Sequence, residues 1–260
     1  MISDLNLVKE AAVEAGGVIL NYYKADYDIQ EKGYHNPVTT ADRKADTRLK
    51  EILLKARPDY GWLSEETVDS AERLEKRRVW VVDPLDGTKE FIEGVPHFVV
   101  SIALVENGQP IIGVLYNPVT GEIFTATQEK GACLNGEPIH CTAKEKVSEM
   151  IILNSRSETR QGLWKLYAGT FGKLRAIGSV AYKLGLTAAG QADIFATLRP
   201  KNEWEICAGT CIIREAGGKV IDLNGNNISF NQEKTLIEPG LIAGDIQAVD
   251  KTYKVFNANT

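Results

Sequence analysis

The sequence predicts an α/β protein in which an α+β first half is followed by an α/β second half. In the first half, a strand at Val79–Val82 precedes apolar runs at 98–105, 110–116 and 122–127. The segments ENGQ and NPVTG between those runs are turn signals that join antiparallel strands. In the second half, strand-like and helix-like segments alternate regularly, which is typical of the α/β class.

The first half begins with a predicted helix and a turn-rich segment. Apolar residues recur with helical spacing at Leu5, Val8, Ala12, Ala15, Ile19 and Tyr22. The polar segment 24–42 then predicts a loop or a hairpin. Thr39 or Thr40 can cap a second helix that starts near Asp42. Asp42 therefore falls in the first turn of that helix, where the helix dipole favours a carboxylate.

The second half alternates strands and helices along most of its length. We expect strands at 150–154, 174–177, 192–198 and 219–222, and helices near 158–169, 180–189 and 204–216. The polar and charged segment 142–149 separates the two halves. The predicted domains are therefore residues 1–145 and 146–260.

The composition is that of an ordinary globular protein and excludes several classes of function. The 260 residues carry a formal net charge of −5 and no long basic run, so a nucleic-acid polymer is not an expected partner. No apolar stretch approaches the roughly 20 residues of a membrane span, and the N-terminus does not resemble a signal peptide. Four cysteines suit a reducing compartment, so we expect a cytoplasmic protein. Cys207 and Cys211 are expected in the core rather than on a metal.

Acidic residues from well-separated segments are the candidates for chemistry. Each lies at the edge of a predicted element, and the set consists of Asp42, Glu65 with Glu66, Asp83 with Asp86, and Glu205. Half-buried carboxylates are costly unless a cation neutralises them, and few basic residues flank these positions. Mg²⁺ is a natural partner because it binds carboxylates, carbonyls such as that of Leu85, and phosphate oxygens. The same Asp-Pro-x-Asp-Gly pattern also fits a plain β-turn, so both interpretations stay open at this point.

Three ordered motifs resemble one family. The segment VWVVDPLDGTKEF, the upstream SEE and the downstream EWEICAGTCIIREAGG together resemble the inositol monophosphatase superfamily of metal-dependent, lithium-sensitive phosphatases. The resemblance extends from NPVTTAD to EAGG and covers nearly the whole chain. It implies a layered α/β/α/β/α sandwich of the inositol monophosphatase/fructose-1,6-bisphosphatase type, with the site enclosed by the two halves.

The resemblance also implies a set of metal ligands. Glu65 resembles the family's glutamate on the first metal and belongs with the catalytic residues. Asp83 resembles the carboxylate that bridges two metals, and the Leu85 carbonyl and Asp86 would complete those ligand shells. Glu205 stands where the family has an aspartate that binds the second metal, and its side chain is one methylene longer. The implied cofactor is Mg²⁺, as two or three ions.

A hydroxyl and a carboxylate resemble the family's catalytic dyad. Thr88 and Asp42 match the pair that orients and deprotonates the attacking water. Phosphate monoesters hydrolyse extremely slowly without a catalyst, and Mg²⁺ would screen the phosphate and activate that water. The resemblance implies no covalent phosphoenzyme.

Local motifs bear on the substrate. DGTKEF resembles the branch that removes the 3′-phosphate from adenosine 3′,5′-bisphosphate and from 3′-phosphoadenylyl sulfate, whereas inositol monophosphatases more often read DGTTNF. The segments SRS at 155–157 and GSVAYK at 178–183 resemble the same branch. The substrate-binding candidates are Gly87, Thr88, Ser155, Gly178, Ser179 and Lys183. The last three also fit a plain helix N-terminus with an exposed lysine. Glu158 replaces the histidine that often follows SRS, which counts against a nucleotide.

Three functions are therefore expected in order. The first is a Mg²⁺-dependent hydrolase of a small-molecule phosphate ester, acting on the 3′-phosphate of adenosine 3′,5′-bisphosphate. The second is an inositol monophosphatase or another sugar-phosphate phosphatase. The third is a non-catalytic metal or phosphate sensor on the same fold. A homodimer is an expectation at the level of the family only.

Overall fold

The computed structural model of the chain describes residues 3–33 and 36–258. Its first elements are helix α1 (Asp4–Leu20), strands β1 (Ile29–Gly33) and β2 (Asn36–Thr39), and helix α2 (Thr40–Ala56). β1 and β2 pair as a hairpin, and residues 34 and 35 between them lie outside the described residues. Thr39 is the N-cap of α2, as one of the two sequence alternatives predicts.

A seven-stranded sheet forms the centre of the first half. Its spatial order follows the chain through β3 (Gly61–Ser64), β4 (Arg78–Asp86), β5 (Val99–Glu106), β6 (Gln109–Asn117), β7 (Glu122–Thr127), β8 (Ala132–Leu134) and β9 (Glu137–Ile139). β3 and β4 are parallel, and the later neighbours are antiparallel. Helix α3 (Thr88–Ile92) follows β4 after one residue. The predicted antiparallel strands are confirmed.

A mixed five-stranded sheet forms the centre of the second half. The elements in chain order are β10 (Ile151–Ser155), α4 (Arg156–Arg160), β11 (Lys173–Ile177), α5 (Val180–Ala188), β12 (Ile194–Thr197), β13 (Lys201–Asn202), α6 (Glu203–Glu215), β14 (Gly218–Asp222), β15 (Leu236–Ile237), β16 (Leu241–Asp245) and α7 (Ile246–Asn257). The sheet order is β11-β10-β12-β16-β14, and β13 pairs separately with β15. β10 is parallel to β11 and β12, whereas β16 is antiparallel to β12 and β14.

The two sheets and the helices stack as five layers. Alternation along β4 sends Trp80 and Val82 into a core shared with α1 and α2, and Val79 and Val81 into a core shared with α5 and α6. The five-stranded sheet covers the other side of the second core, in which Cys207 and Cys211 are buried. Helix α7 covers the outer face of that sheet. The expected α/β/α/β/α sandwich is confirmed. A strand with both faces covered explains the continuous apolar run VWVV.

Some sequence predictions about elements are wrong or incomplete. The helix expected near 158–169 is two short pieces, α4 and a 3₁₀ turn at Leu163–Tyr167, because Gly162 between them takes a φ of 77° that ends α-helical geometry. The strand expected at Val79–Val82 runs on through Pro84 to Asp86. The five short or C-terminal strands β8, β9, β13, β15 and β16, and helix α7, were not predicted. The two large sheets are formed by residues 61–139 and 151–245, and the domain limits near residue 145 stay a prediction.

No helix in the described part of the chain combines the length and the apolar character that crossing a membrane requires.

A buried arginine ties the two halves together near the start of α6. The guanidinium of Arg73 donates to both carboxylate oxygens of Asp69, at 2.7 and 2.9 Å, and to Asn231 Oδ1 at 2.7 Å. The backbone N–H groups of Asn231 and Gln232 donate in turn to the carboxylate of Glu203, at 2.6 and 2.8 Å. Burial raises the pKa of Glu203 to about 7. The first residue of α6 is thereby linked to the segment that precedes β4.

We expect Arg73→Met to lower the free energy of unfolding by about 2 kcal/mol at pH 7, because the part-buried hydrogen bonds of Arg73 to Asn231 and Asp69 are lost. The hydrogen bond from Arg73 lowers the pKa of Asp69, so this contribution is present above about pH 4 and is lost as the pH falls below it. Urea unfolding at pH 7 and pH 3 measures both effects. Arg77→Met is the control, since Arg77 is exposed and its pair with Glu106 is worth under about 1 kcal/mol. Equal losses for the two variants would contradict the prediction.

Candidate active site

A cavity of about 330 Å³ collects the predicted site residues from both halves of the chain. All of them except Asp42 line it, namely Glu65, Asp83, Leu85, Asp86, Gly87, Thr88, Ser155, Gly178, Ser179, Lys183 and Glu205. They lie at the ends of β3, β4, β10 and β11 and at the starts of α3, α5 and α6. The sequence motifs therefore identified residues that lie close together in space although they are up to 140 positions apart in the chain.

A β-bulge at the end of β4 turns the DPLD segment toward this cavity. Asp83 is paired with Ser101 of β5 and Asp86 with Val99, so three steps along β4 match two along β5. Pro84 is tolerated because it lies in the bulge, where no ladder hydrogen bond is required. Asp83 Oδ1 accepts from the Leu85 N–H at 3.1 Å, as in a plain aspartate turn. The turn and the carboxylate cluster are thus two properties of one segment.

Glycine is required at the next position. Gly87 has a φ of 109°, a conformation that L side chains rarely adopt, and a Cβ there would lie 2.7 Å from the carbonyl oxygen of His97. The sharp change of direction at Gly87 begins α3 immediately after Asp86. Thr88 consequently lies at the first position of α3, beside the carboxylates.

Glu65 reaches the same edge of the sheet through parallel strand pairing. Ser64 of β3 is paired with Val82 of β4, and the Glu65 N–H donates to the Val82 carbonyl at 3.2 Å. Glu65, which follows β3, and Asp83, which follows Val82 within β4, therefore lie side by side. Burial, followed by the charges of Glu65 and Asp86, raises the pKa of Asp83 well above its usual range.

Asp42 lies behind the cavity and is connected to it by Thr88. The carboxylate of Asp42 completes a capping box on α2, with Oδ2 accepting from the backbone N–H and the hydroxyl of Thr39 at 2.7 and 2.5 Å. Its other oxygen, Oδ1, lies 2.9 Å from Thr88 Oγ1 and accepts from that hydroxyl. Burial raises the pKa of Asp42, which makes its carboxylate a stronger proton acceptor.

Asp86 bridges the two halves. Its Oδ2 atom accepts from the hydroxyl of Ser179 and from the N–H of Ala181 at 2.6 Å, both at the start of α5. Burial, and then the charge of Glu205, raises the pKa of Asp86 to about 7. Ser179 has a φ of 57°, an uncommon conformation for a residue other than glycine, and it also caps α5 through the Tyr182 N–H.

Glu205 completes the cluster from the first turn of α6. Its Oε2 atom accepts from the Asn202 N–H at 2.7 Å in a second capping box, and its Oε1 atom lies 3.9 Å from Lys201 Nζ. Burial raises the pKa of Glu205. The longer side chain of glutamate is the one that a capping box prefers at this position, so the departure from the family's aspartate has a local structural role.

The donor set fits Mg²⁺. In Asp83, Asp86 and Glu205, one carboxylate oxygen accepts from a backbone N–H of the protein. The second oxygen of Asp86 accepts no hydrogen bond from the described residues, whereas the carboxyl group of Asp83 is also hydrogen-bonded to that of Glu65. Among the described residues, no group of three or more His, Cys, Asp or Glu side chains is placed so that it alone could hold a metal ion. Mg²⁺ commonly takes one or two protein carboxylates and fills its other positions with carbonyls, water and phosphate oxygens.

Lys183 differs from the sequence expectation. Its ammonium group is buried, and it donates to the carbonyls of Ser179 at 2.6 Å and Ile177 at 3.2 Å. Burial lowers the pKa of Lys183 to about 8, against the opposing effects of Asp86 and Glu90. The alternative of an exposed lysine on a helix N-terminus is therefore wrong. Lys183 lines the cavity next to the turn whose carbonyl groups accept its hydrogen bonds.

Several cavity residues were missed by sequence reasoning. Lys89, Glu90, Arg156, Arg160 and Lys201 also line the cavity. Lys89 and Glu90 belong to the DGTKEF motif, and Arg156 belongs to SRS. These motifs were used to choose a branch of the family, but the three residues were not predicted as part of the site. Nothing in the sequence distinguishes Arg160 or Lys201 from exposed basic residues.

Glu158 faces away from the cavity. It is buried, and its carboxylate accepts from Trp164 Nε1 at 2.8 Å and from the Thr197 hydroxyl at 2.6 Å. The expectation that this acid would oppose a nucleotide assumed that it faces the ligand. The hydrogen bonds show instead that Glu158 fixes α4 to β12.

Comparisons with known proteins agree with this geometry. A sequence profile of the inositol monophosphatase family matches residues 3–258. Inositol-1-monophosphatase of Rhizobium meliloti (strain 1021) is 35% identical over 230 residues, which cover 85% of this chain and 86% of the relative. An IMPase of Thermotoga maritima superposes with a TM-score of 0.88 at 28% identity, over 99% of this chain and 98% of that chain. CysQ of Bacteroides thetaiotaomicron, a bacterial member of the same family, gives a TM-score of 0.76 at 32% identity, over 92% of this chain and 96% of that chain.

We expect Asp83→Asn to stabilise the Mg²⁺-free protein by roughly 1–2 kcal/mol at pH 7.5, because it removes one charge from a crowded cluster. Millimolar-range Mg²⁺ should stabilise the wild type against urea, since a ligand that binds only the folded state raises its stability. The same Mg²⁺ should leave Asp83→Asn almost unchanged. Unfolding curves with Mg²⁺ and with EDTA measure both effects.

Asp193→Asn is the matched control for that prediction. Asp193 is also buried, but its carboxylate accepts from the N–H groups of Lys144 and Ile151, each at 2.8 Å, and it lies outside the cavity. Its replacement should destabilise the protein and leave the response to Mg²⁺ intact. A full Mg²⁺ response in Asp83→Asn would show that the ion binds elsewhere.

Proposed function

The chain belongs to the inositol monophosphatase family of phosphatases, and on that premise we propose that it removes the 3′-phosphate from adenosine 3′,5′-bisphosphate and from 3′-phosphoadenylyl sulfate. The proposal includes Mg²⁺ as the cofactor, in two or three ions, with Glu65, Asp83, Asp86, Glu205 and the Leu85 carbonyl as its ligands. When bound, Mg²⁺ would screen the phosphate charge and make water a better nucleophile.

The basic residues that line the cavity support this choice of substrate. Arg160 lines the cavity and is exposed, and within residues 3–33 and 36–258 no hydrogen bond or ion pair engages its side chain. By contrast, Arg156 is neutralised by Glu90 and Glu93, and Lys201 lies beside Glu205. A substrate with a second anionic group gives Arg160 a charged partner, whereas the hydroxyl groups of an inositol monophosphate offer only neutral, weaker acceptors.

The neighbourhood of Glu158 supports the same choice. A carboxylate that faced the ligand would repel a bisphosphate and favour a neutral polyol. The hydrogen bonds of Glu158 to Trp164 and Thr197 direct that charge into the protein, so the departure from the SRS-histidine pattern adds no repulsion at the cavity.

Thr88 and Asp42 would activate the water. The Thr88 hydroxyl donates to Asp42 Oδ1, which leaves its oxygen lone pairs to accept a hydrogen bond from a water in the cavity. As the oxygen of that water forms a bond to phosphorus, its proton would move toward the Thr88 oxygen and the Thr88 proton toward Asp42. The bond between phosphorus and the ester oxygen would break, and the leaving oxygen would take a proton from water. The raised pKa of Asp42 favours this transfer. Gly87, Ser155, Gly178 and Ser179 would contact the substrate at the cavity wall.

Inositol 1-phosphate is the second candidate substrate. The similarity to the Rhizobium meliloti relative supports this substrate, because that relative is named inositol-1-monophosphatase. A non-catalytic sensor is less well supported because Asp42 and Thr88 are both present and hydrogen-bonded to each other. A cytoplasmic location and a homodimer stay predictions.

We expect Thr88→Ala to lower kcat about 100-fold with little change in KM, because the variant loses the group that orients and deprotonates water but keeps the binding surface. Thr88→Ser is the control and should stay within about tenfold of the wild type, since it retains the hydroxyl. Phosphate release under saturating substrate measures kcat. If Thr88→Ala kept full activity, the dyad would have no role in catalysis.

The substrate assignment is tested by phosphate release from adenosine 3′,5′-bisphosphate and from inositol 1-phosphate, each with Mg²⁺ and with or without millimolar-range Li⁺. We expect the higher kcat/KM with the bisphosphate, and inhibition by Li⁺. Arg160→Gln should lower kcat/KM for the bisphosphate at least tenfold and leave inositol 1-phosphate within about twofold, because only the bisphosphate has a second charged group. Preference for inositol 1-phosphate would overturn the substrate but keep the class of enzyme.

A further inference from the structure

The DGTKEF motif contains a glutamate whose side chain does not face free solvent in the cavity. Glu90 Oε1 accepts from Arg156 Nη1 at 2.9 Å, and Arg156 Nη2 donates to Glu93 Oε2 at 2.6 Å. Arg156 therefore bridges two carboxylates of the α3 region, and only 10% of the Glu90 side chain is exposed. The ion pair connects the first half of the chain, through α3, to α4 in the second half.

The same glutamate packs against Gly178 at the end of β11. A Cβ atom at Gly178 would overlap the Cγ and carboxyl atoms of Glu90. The overlap is relieved only if Glu90 moves, and Glu90 is held by Arg156 and by its burial. Gly178 is therefore required because Glu90 occupies the space that a side chain would need.

The turn that contains Gly178 is the one that holds Asp86. Ser179 and Ala181 donate to Asp86, and Lys183 donates to the carbonyls of Ile177 and Ser179. The φ of 57° at Ser179 is a strained conformation for a residue other than glycine, and it persists only where the surroundings enforce it. Lys183 holds the turn from the inner side, and Glu90 packs against its outer side.

We propose that Glu90, Arg156 and Gly178 form a clamp that positions the 177–181 turn, and through it Asp86, for phosphate ester hydrolysis. The proposal rests on the phosphatase function proposed above, and it assigns the glutamate of DGTKEF, Glu90, to positioning rather than to substrate selection. Glu90 and Arg156 are positioning residues, because their contacts in the clamp are with other protein groups. Loss of the clamp should then reduce turnover of every substrate by the same factor.

A double-mutant cycle tests the contact between Glu90 and Gly178. We expect Gly178→Ala to lower kcat at least tenfold and to lower the urea midpoint, and Glu90→Ala to lower kcat about fivefold. The double variant should be no worse than Glu90→Ala, because the new methyl group occupies the space that Glu90 leaves. Additive losses in the double variant, in kcat or in the midpoint, would overturn the clamp. If Gly178→Ala alone fails to fold, recovery of folding in the double variant reports the same coupling.

Substrate ratios separate positioning from recognition. The ratio of kcat/KM for adenosine 3′,5′-bisphosphate to that for inositol 1-phosphate should stay within twofold of the wild type in Glu90→Ala and in Arg156→Gln, although both lose turnover. A shift in this ratio beyond tenfold would show that the pair recognises the substrate. Glu93→Gln is the matched control, because Glu93 shares Arg156 but does not pack on Gly178, and its kcat should stay within twofold.

The stability measurement keeps the two proposals distinguishable. If the wild type released no phosphate from either compound, the proposed function would fail while the urea midpoints of the cycle still tested the clamp. If the wild type were active and the midpoints additive, the clamp would fail and the function would stand.

Discussion

The site depends on one interaction, the hydrogen bonding of Asp86 to the start of α5. Asp86 ends a strand of the first sheet, whereas Ser179 and Ala181 belong to a turn that leads out of the second. Hydrogen bonds to a buried carboxylate are strong because the surroundings screen them poorly. This carboxylate therefore helps to fix the distance between the two halves at the cavity, beside the ion pair of Arg156 and Glu90.

Asp42, Asp83 and Glu205 are fixed by the local geometry of their own segments, and Asp86 is fixed by the start of α5. Asp42 and Glu205 complete capping boxes, Asp83 closes a turn on Leu85, and Asp86 receives the N–H of Ala181. One oxygen is thus tied to the backbone before any cation binds. Folding brings these carboxylates together and buries them, which costs free energy. That cost is seen in the raised pKa values of Asp42, Asp83, Asp86 and Glu205. Such preorganisation lets a cation bind without rearranging its ligands.

The sequence predicts those parts of the site that are encoded locally. The order of apolar runs gave the antiparallel strands, and the spacing of Asp83, Asp86 and Gly87 around Pro84 gave the turn that carries them. Thr39 and Asp42 could be recognised as the start of a helix from their spacing of three residues. Lys183 could not be placed, because its ammonium group lies 5.3 Å from the ring centroid of Phe195 in β12, and that contact is set by a later segment of the chain. The inward direction of Glu158 depends on Trp164 and Thr197, and the helix expected beyond it was wrong because Gly162 interrupts it. Local patterns reveal which residues start an element, whereas direction and burial are decided by partners far away in the chain.

The position of β16 has a consequence for how the protein is made. This strand lies between β12 and β14 in the five-stranded sheet, yet it is the last strand in the chain. A nascent chain that has reached residue 240 therefore has β12 and β14 in place with no partner between them, and both offer unpaired backbone edges. The five-stranded sheet can close only after β16 has been made, so a chain that lacks β16 would be left with open strands that aggregate. β16 is in this sense the strand that completes the second sheet.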